Sequence, residues 1–274
     1  MFFFRNFYLY VYKFQKQVFS IYYSCINCVS ILLSEFFFAM KRIFSILLLL
    51  SFSATSLATY SFESYFKEER VLVAKYLQAN QSKMQQKASK YHHDHEFVTA
   101  IIYPELLRYN YIQDFIETSG LEILYMRYGA NTADFSIGHF QMKPSFAENI
   151  EKYIEKNAED FYHYKKLIIK HKATPVAQRK LRLARLKQMD WQLMYLHAFI
   201  AICDHKFHFL KFTTTKDKLR FYAACYNIGF HKKYQNILQN ENSNTFPNGP
   251  KYLGTQFCYA SIACAYYLNP KSMQ

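Results

Sequence analysis

One carboxylate of the chain ends a run of apolar residues at helical spacing. Phe97, Ile101 and Glu105 recur every four residues within the segment 96–109. This interval predicts a helix that carries all three side chains on one face. A carboxyl group held against apolar neighbours loses the solvation of its ionised form, so its pKa rises and it stays protonated near neutral pH. Glu105 is therefore a candidate general acid.

Two further segments contain side chains that could bind a polar ligand. The first is Ser136–Ser145, which reads Ser-Ile-Gly-His-Phe-Gln-Met-Lys-Pro-Ser, and the second is Ala223–Gly229, which contains Tyr226 and Asn227. Residues 120–138 hold three glycines and an Asn-Thr-Ala-Asp group, so we predict that they form loops or a hairpin.

In chain order, three segments resemble the lysozyme-like superfamily of lytic transglycosylases and goose-type lysozymes. Val98–Glu105 is similar to the family's aliphatic helix that ends in the catalytic Glu. Ser136–Ser145 resembles the family's Gly-x-(Met/Phe)-Gln-(Ile/Met)-x-Pro-(Ser/Thr) segment, and Ala223–Gly229 resembles its Ala-x-Tyr-Asn-x-Gly. Leu106 stands where the family usually has Ser after the Glu.

The resemblance implies a mostly α-helical, lysozyme-like single domain over 96–274, with a small loop or β-hairpin region beside an active-site cleft. It also implies a lytic transglycosylase that cleaves the β-1,4 bond between N-acetylmuramic acid and N-acetylglucosamine in peptidoglycan glycan strands. In such enzymes a single Glu, here Glu105, acts first as acid and then as base. Neither a metal nor a cofactor is required.

By the same resemblance, a set of residues from the second and third segments is expected to line the sugar site. These are Ser136, Gly138, Phe140, Gln141, Met142, Tyr226 and Asn227. Taken without the family, Gly138 would serve a turn, Phe140 would belong to the core, and the Tyr-Asn pair would cap a helix.

A hydrolase would need a second carboxylate to hold a water on the other side of the sugar. Glu117, Glu122 and Asp134 are the available candidates, and Asp134 adjoins the predicted hairpin. The alternative for Asp134 is a turn-stabilising role. A third hypothesis comes from a different class of function: the chain is a non-catalytic cell-wall-binding protein that keeps the fold.

The beginning of the chain indicates export. Met40-Lys41-Arg42, an apolar stretch and Ser56-Leu57-Ala58 match the three regions of a signal peptide over 40–58. Residues 1–39 lack Gly, Pro, Asp, Thr and His, and we interpret them as a spurious upstream extension. The alternative is a membrane anchor over 18–39, and membrane association is expected only if these residues are real. The expected location is periplasmic or secreted.

The net charge and the number of cysteines restrict the possible functions less than the motifs do. Loss of residues 1–58 would lower the formal net charge from +14 to +10, which suits a polyanionic partner. An exported chain without a recognised nucleic-acid motif makes the wall polymer the expected partner and argues against nucleic acid. Cys203, Cys225, Cys258 and Cys264 permit two disulfides, or they are four buried thiols.

Outside these motifs the sequence predicts helices. Residues 59–95 are expected to form a leading helix, and long helices are expected at about 146–170, 176–212 and 216–228, with a last one near 257–268. The run of Lys and Arg between 165 and 187 is either a solvated face or a wall-binding patch. The tract His92–Glu96 is more typical of a polar helix start than of a metal site.

Overall fold

The computed structural model describes residues 40–41, 61–112, 118–169 and 174–270 of the chain. Tyr60–Gln274 forms one compact unit, and a second unit, Met1–Thr59, contains only two described residues. The predicted extension 1–39 and nearly all of the predicted signal peptide 40–58 thus lie outside the described residues. In the described part no helix combines the length and apolar character needed to cross a membrane.

The described part of the compact unit is mostly helical, as the sequence predicts, and it contains one small antiparallel sheet. The elements in chain order are α1 (Phe62–Tyr65), α2 (Lys67–Lys90), α3 (His95–Ile112), α4 (Thr118–Tyr128), α5 (Pro144–Lys156), a 3-10 helix (Tyr162–Leu167), α6 (Pro175–Leu186), α7 (Met189–Lys206), α8 (Thr215–Ile228), α9 (Tyr234–Asn240), β1 (Asn244–Phe246), β2 (Phe257–Cys258) and α10 (Tyr259–Leu268).

Helix α3 lies at the centre and packs against α2, α8 and α10. The adjacent residues Ile101 and Ile102 point to different sides of the helix, and both are fully buried. The neighbouring helices therefore cover more than one side of α3. The hydroxyl of Tyr259 on α10 donates to the Ile101 carbonyl at 2.9 Å. Glu105 thus lies on a helix that is packed on more than one side.

Helix α4 differs from the prediction of loops over 120–138. Its first turns contain Gly120, yet Leu121 and Tyr125, four residues apart, pack into the core and Tyr125 is fully buried. Burial of this face outweighs the modest cost of one glycine in a helix. The loop is confined to the residues that follow Tyr128.

The predicted helix over 176–212 is two helices, α6 and α7, separated at Lys187 and Gln188. The side chain of Gln192 holds this break, since its Nε2 donates to the carbonyls of Leu186 and Ile137, both at 2.8 Å. The second of these bonds ties the break to the segment that precedes Gly138. The predicted helix over 146–170 is divided in the same way, into α5 and the 3-10 helix.

Part of the basic run between 165 and 187 points inward. Arg179, Arg182 and Arg185 recur every three residues on α6, and the last two are buried. Arg179 Nε donates to the carbonyl of Met126 at 2.8 Å, and Arg185 Nη1 donates to that of Leu167 at 2.7 Å. Arg179 and Arg185 satisfy carbonyl groups at the ends of neighbouring helices, so they are structural.

The four described cysteines are all buried free thiols. This matches the second of the two alternatives that their even number allowed. Burial raises the pKa of the Cys203 and Cys264 thiols, which disfavours the thiolate that disulfide exchange requires.

The histidine tract separates into different roles. His93 Nδ1 lies 2.8 Å from Nδ1 of His197, which is fully buried on α7. His95 begins α3, and Asp94 caps that helix by accepting from the Phe97 amide at 2.6 Å. Among the described residues no three potential ligands are placed to share a metal ion.

The His93–His197 pair should make the fold acid-sensitive. One Nδ1 must donate and the other accept, so both rings cannot be cationic. Burial, and then the nearby charges of His93 and Lys87, lower the pKa of His197 to about 3, and burial lowers that of His93. Since the unfolded pKa is about 6.5, the pair stabilises the protein above that pH. Its contribution is lost as pH falls from about 6.5 towards 3, by up to about 1.4 kcal/mol per pH unit for each proton.

Urea unfolding of the wild type and of His197→Phe at a series of pH values tests this expectation. The phenylalanine keeps an aromatic ring beside Tyr91, whose ring centroid lies 5.0 Å from that of His197. The variant should show a shallower loss of stability below pH 6.5. Identical slopes for the two proteins would contradict the assignment.

Candidate active site

A cleft lies between the Ile137–Met142 turn, the end of α8 and the loop after β1. Its volume is about 590 Å³. It is lined by Glu105, Arg108, Asp134, Ser136, Gln141, Met142, Lys143, Ser145, Phe146, Tyr226, Asn227, Ile228, Gly229, His231, Lys232, Asn240, Thr245, Phe246, Pro247, Asn248, Gly249 and Pro250. The three sequence segments that are far apart in the chain therefore meet at one opening.

Glu105 reaches this cleft from the buried helix α3. The residue is only 5% exposed, and its Oε2 is buried without a hydrogen-bond partner. Burial raises the pKa of Glu105, although the charges of Arg108 and Lys143 oppose that rise. The net direction keeps the carboxyl group protonated at a higher pH than a solvated Glu, as a general acid requires.

Arg108 was not singled out from the sequence, although it lies one helical turn beyond Glu105. Its Nη1 is 3.6 Å from Glu105 Oε2, which is an ionic contact but too long for a hydrogen bond. Arg108 favours the ionised form of Glu105.

A tight turn presents Gln141 to the cleft. Ile137 and Met142 exchange backbone hydrogen bonds of 3.0 and 3.1 Å, which leaves residues 138–141 as the turn. Gly138 has φ +67°, and a Cβ there would meet Gln192 Nε2 at 2.2 Å, so only glycine fits. Gln141 is itself left-handed at φ +49°, and its Nε2 donates to the Gly138 carbonyl at 2.9 Å.

Helix α8 contributes Tyr226 and Asn227. The hydroxyl of Tyr226 donates to the carbonyl of Phe140 at 2.8 Å, so α8 supports the turn directly. Burial, and then the Glu105 charge, raise the pKa of Tyr226, which keeps the phenol neutral beside the carboxyl group. Asn227 Nδ2 donates to the Asn240 side chain at 3.0 Å.

Asp134 lines the cleft but is engaged in holding α5. Its Oδ1 accepts from the Ser145 amide at 3.0 Å, and its Oδ2 accepts from the Ser145 hydroxyl at 2.7 Å. Residue 143, which precedes α5, makes no side-chain cap of its own. Asp134 therefore caps the helix from eleven residues upstream, where a negative charge is also favoured by the helix dipole.

The other carboxylates considered for a second role are placed differently. Glu122 pairs with Lys187 at 2.7 Å and does not line the cleft. Glu117 lies outside the described residues.

The structure brings together most of the residues selected from the sequence, and it leaves two out. Ser136, Gln141, Tyr226 and Asn227 line the opening, and so does Met142, which is 1% exposed and lies beneath it. The remaining two, Gly138 and Phe140, shape the turn from behind: Gly138 packs on Gln192, and the ring of Phe140 is fully buried.

One wall of the cleft was missed by sequence reasoning. It consists of His231 and Lys232 after α8 and of Pro247–Pro250 after β1. The Pro-Asn-Gly-Pro sequence of residues 247–250 is typical of a loop, but nothing local connects that loop with Glu105. His231 packs over Gly229 (φ +98°), where a Cβ would lie 2.6 Å from its ring, and Nδ1 of His231 lies 3.2 Å from Asn149 Nδ2.

Comparison of the chain with protein-family models, with curated proteins and with solved structures gives no significant match.

Proposed function

We propose that this protein has a lysozyme-like fold and cleaves peptidoglycan glycan strands as a lytic transglycosylase, with Glu105 as acid and then base. One observation carries the proposal. A carboxyl group whose pKa is raised by burial lines a cleft beside Gln141 and Tyr226, both from segments that resemble the family. The Met40–Ala58 pattern extends the proposal to an exported enzyme.

The resemblance to lytic transglycosylases implies the following reaction. Glu105 donates its proton to the glycosidic oxygen, and the bond from that oxygen to the anomeric carbon breaks. The resulting carboxylate accepts the proton of the C6 hydroxyl on the same muramic acid sugar. The C6 oxygen then bonds to the anomeric carbon, which closes a 1,6-anhydro ring and restores the protonated acid.

The state of Asp134 favours this route over hydrolysis. Among the described residues, Glu105 and Asp134 are the two carboxylates that line the cleft. Both oxygens of Asp134 already accept hydrogen bonds from Ser145, so its first role is to cap α5. A reaction that needs one carboxyl group fits this arrangement better than one that needs a second to activate water.

A non-catalytic wall-binding protein is the second candidate, and Arg108 is the observation that favours it. A guanidinium 3.6 Å from Glu105 promotes the ionised form, which could bind but could not donate a proton. The two candidates differ in whether glycan bonds are broken.

Mass analysis of the fragments released from purified peptidoglycan tests the proposal. The expected products end in anhydro sugars, which are lighter by one water than the corresponding reducing ends. Reducing ends would identify a hydrolase instead. Intact strands after incubation would overturn catalysis and leave the binding candidate.

A further inference from the structure

The cleft has a surplus of positive charge that the cleavage step does not use. Arg108, Lys143 and Lys232 line it, against the carboxylates Glu105 and Asp134. Glu105 is buried beside Arg108, and Asp134 is occupied at the N-terminus of α5. The two lysines are exposed, and no described carboxylate lies within ion-pairing distance of either.

The backbone fixes both lysines on the wall of the cleft. Lys143 immediately precedes α5, directly after the Ile137–Met142 turn, and its charge acts on Glu105. Lys232 closes a turn in which its amide donates to the Gly229 carbonyl at 3.1 Å. Gly229 lies beneath the His231 ring, so the residues of this turn stay at the rim of the same cleft.

A neutral glycan would leave these ammonium groups without partners in the bound state. A glycan whose sugars bear carboxylate-containing side chains would supply partners along the length of the cleft. Because such contacts act on encounter as well as on the complex, they favour the charged polymer over an uncharged one with the same backbone.

From this arrangement we propose that Lys143 and Lys232 make the cleft selective for an anionic, peptide-substituted amino-sugar polymer over a neutral one. The inference rests on the proposed function, because it concerns the substrate of the same cleft. It goes beyond that function because it assigns selectivity to two residues that are not among the site residues implied by the resemblance.

Calorimetric titration of the full chain tests the selectivity without requiring cleavage. The protein carries Glu105→Gln so that the ligand survives, and the two probes are peptide-bearing peptidoglycan oligomers and neutral chito-oligosaccharides of equal sugar number. Adding Lys143→Gln and Lys232→Gln should weaken binding of the peptide-bearing oligomers by about tenfold, since two exposed ion pairs are lost. Binding of the neutral oligomers should not change.

A charge-matched control removes two exposed lysines that do not line the cleft, Lys180 and Lys211. Lys180→Gln with Lys211→Gln should leave both affinities unchanged. Raising the salt concentration should reduce the preference in the parent protein and have little effect in the Lys143/Lys232 variant.

The proposal is overturned if the parent binds both probes equally, if it binds neither, or if the control lowers affinity as much as the cleft variant. Its failure is distinguishable from that of catalysis. If the wild type forms anhydro products but binds both probes equally, only the proposed selectivity is contradicted. If it prefers the charged probe but cleaves no glycan, only the proposed catalysis is contradicted.

Discussion

Replacement of Glu105 by Gln is expected to lower the rate of glycan cleavage by about 10²–10⁴-fold, the usual contribution of a positioned general acid or base. Gln has the same shape but can neither donate the proton nor accept one. Binding of the glycan should persist, because the cleft walls are untouched. Glu105 is 5% exposed and its acid form is favoured by burial, so a neutral amide should be tolerated in the fold.

The matched control is Asp134→Asn. It leaves the second carboxylate position of the cleft uncharged, but Oδ1 can still accept from the Ser145 amide. If a single carboxyl group does the chemistry, this variant should retain most of the cleavage rate and lose only about 0.3–1 kcal/mol of stability, because the favourable interaction of the Asp134 charge with the helix dipole is removed. Equal loss of activity in both variants would support a two-carboxylate hydrolase, and an active Glu105→Gln protein would refute the mechanism.

The pH profile of cleavage gives an independent check. Since the acid form of Glu105 is required, activity should fall as pH rises through its pKa, which burial raises above the ordinary value of 4.5. Arg108→Met removes a neighbour that opposes this rise. The falling limb of the profile should therefore move to higher pH in that variant.

Replacement of Arg182 by Met is expected to destabilise the protein by about 3–5 kcal/mol, because it strands a buried carboxylate. Arg182 is 6% exposed and binds Glu151 through two bonds, Nε to Oε1 at 3.0 Å and Nη2 to Oε2 at 2.6 Å. Its Nη1 donates to the Tyr125 hydroxyl at 2.7 Å, and Tyr195 donates to Glu151 Oε1 at 2.6 Å. One network thus joins α4, α5, α6 and α7.

Urea unfolding of single and double variants measures the loss. Glu151→Met in addition to Arg182→Met removes the stranded charge, so the double variant should regain a large part of the lost stability. An Arg182→Met variant as stable as the wild type would contradict the assignment. So would a double variant whose loss of stability exceeds the sum of the losses in the two single variants. Because α5 begins at the cleft, the Arg182→Met protein should also bind glycan less tightly near its unfolding midpoint.

The sequence alone determined the mostly helical class and the apolar face that ends in Glu105. It also drew attention to the segments around Gln141 and Tyr226, since all of these follow from local periodicity and short motifs. It failed at Gly120, where burial of Tyr125 outweighed a local breaker and produced α4.

Only the tertiary structure decided which side chains those residues contact. The same charged types have opposite roles at different places: Arg182 is buried in a network, whereas Lys143 and Lys232 face the cleft without a partner among the described residues. Asp134 became a cap because Ser145 lies against it across eleven residues of chain. Such outcomes depend on which distant side chains packing brings within a few ångströms, and no local pattern records that.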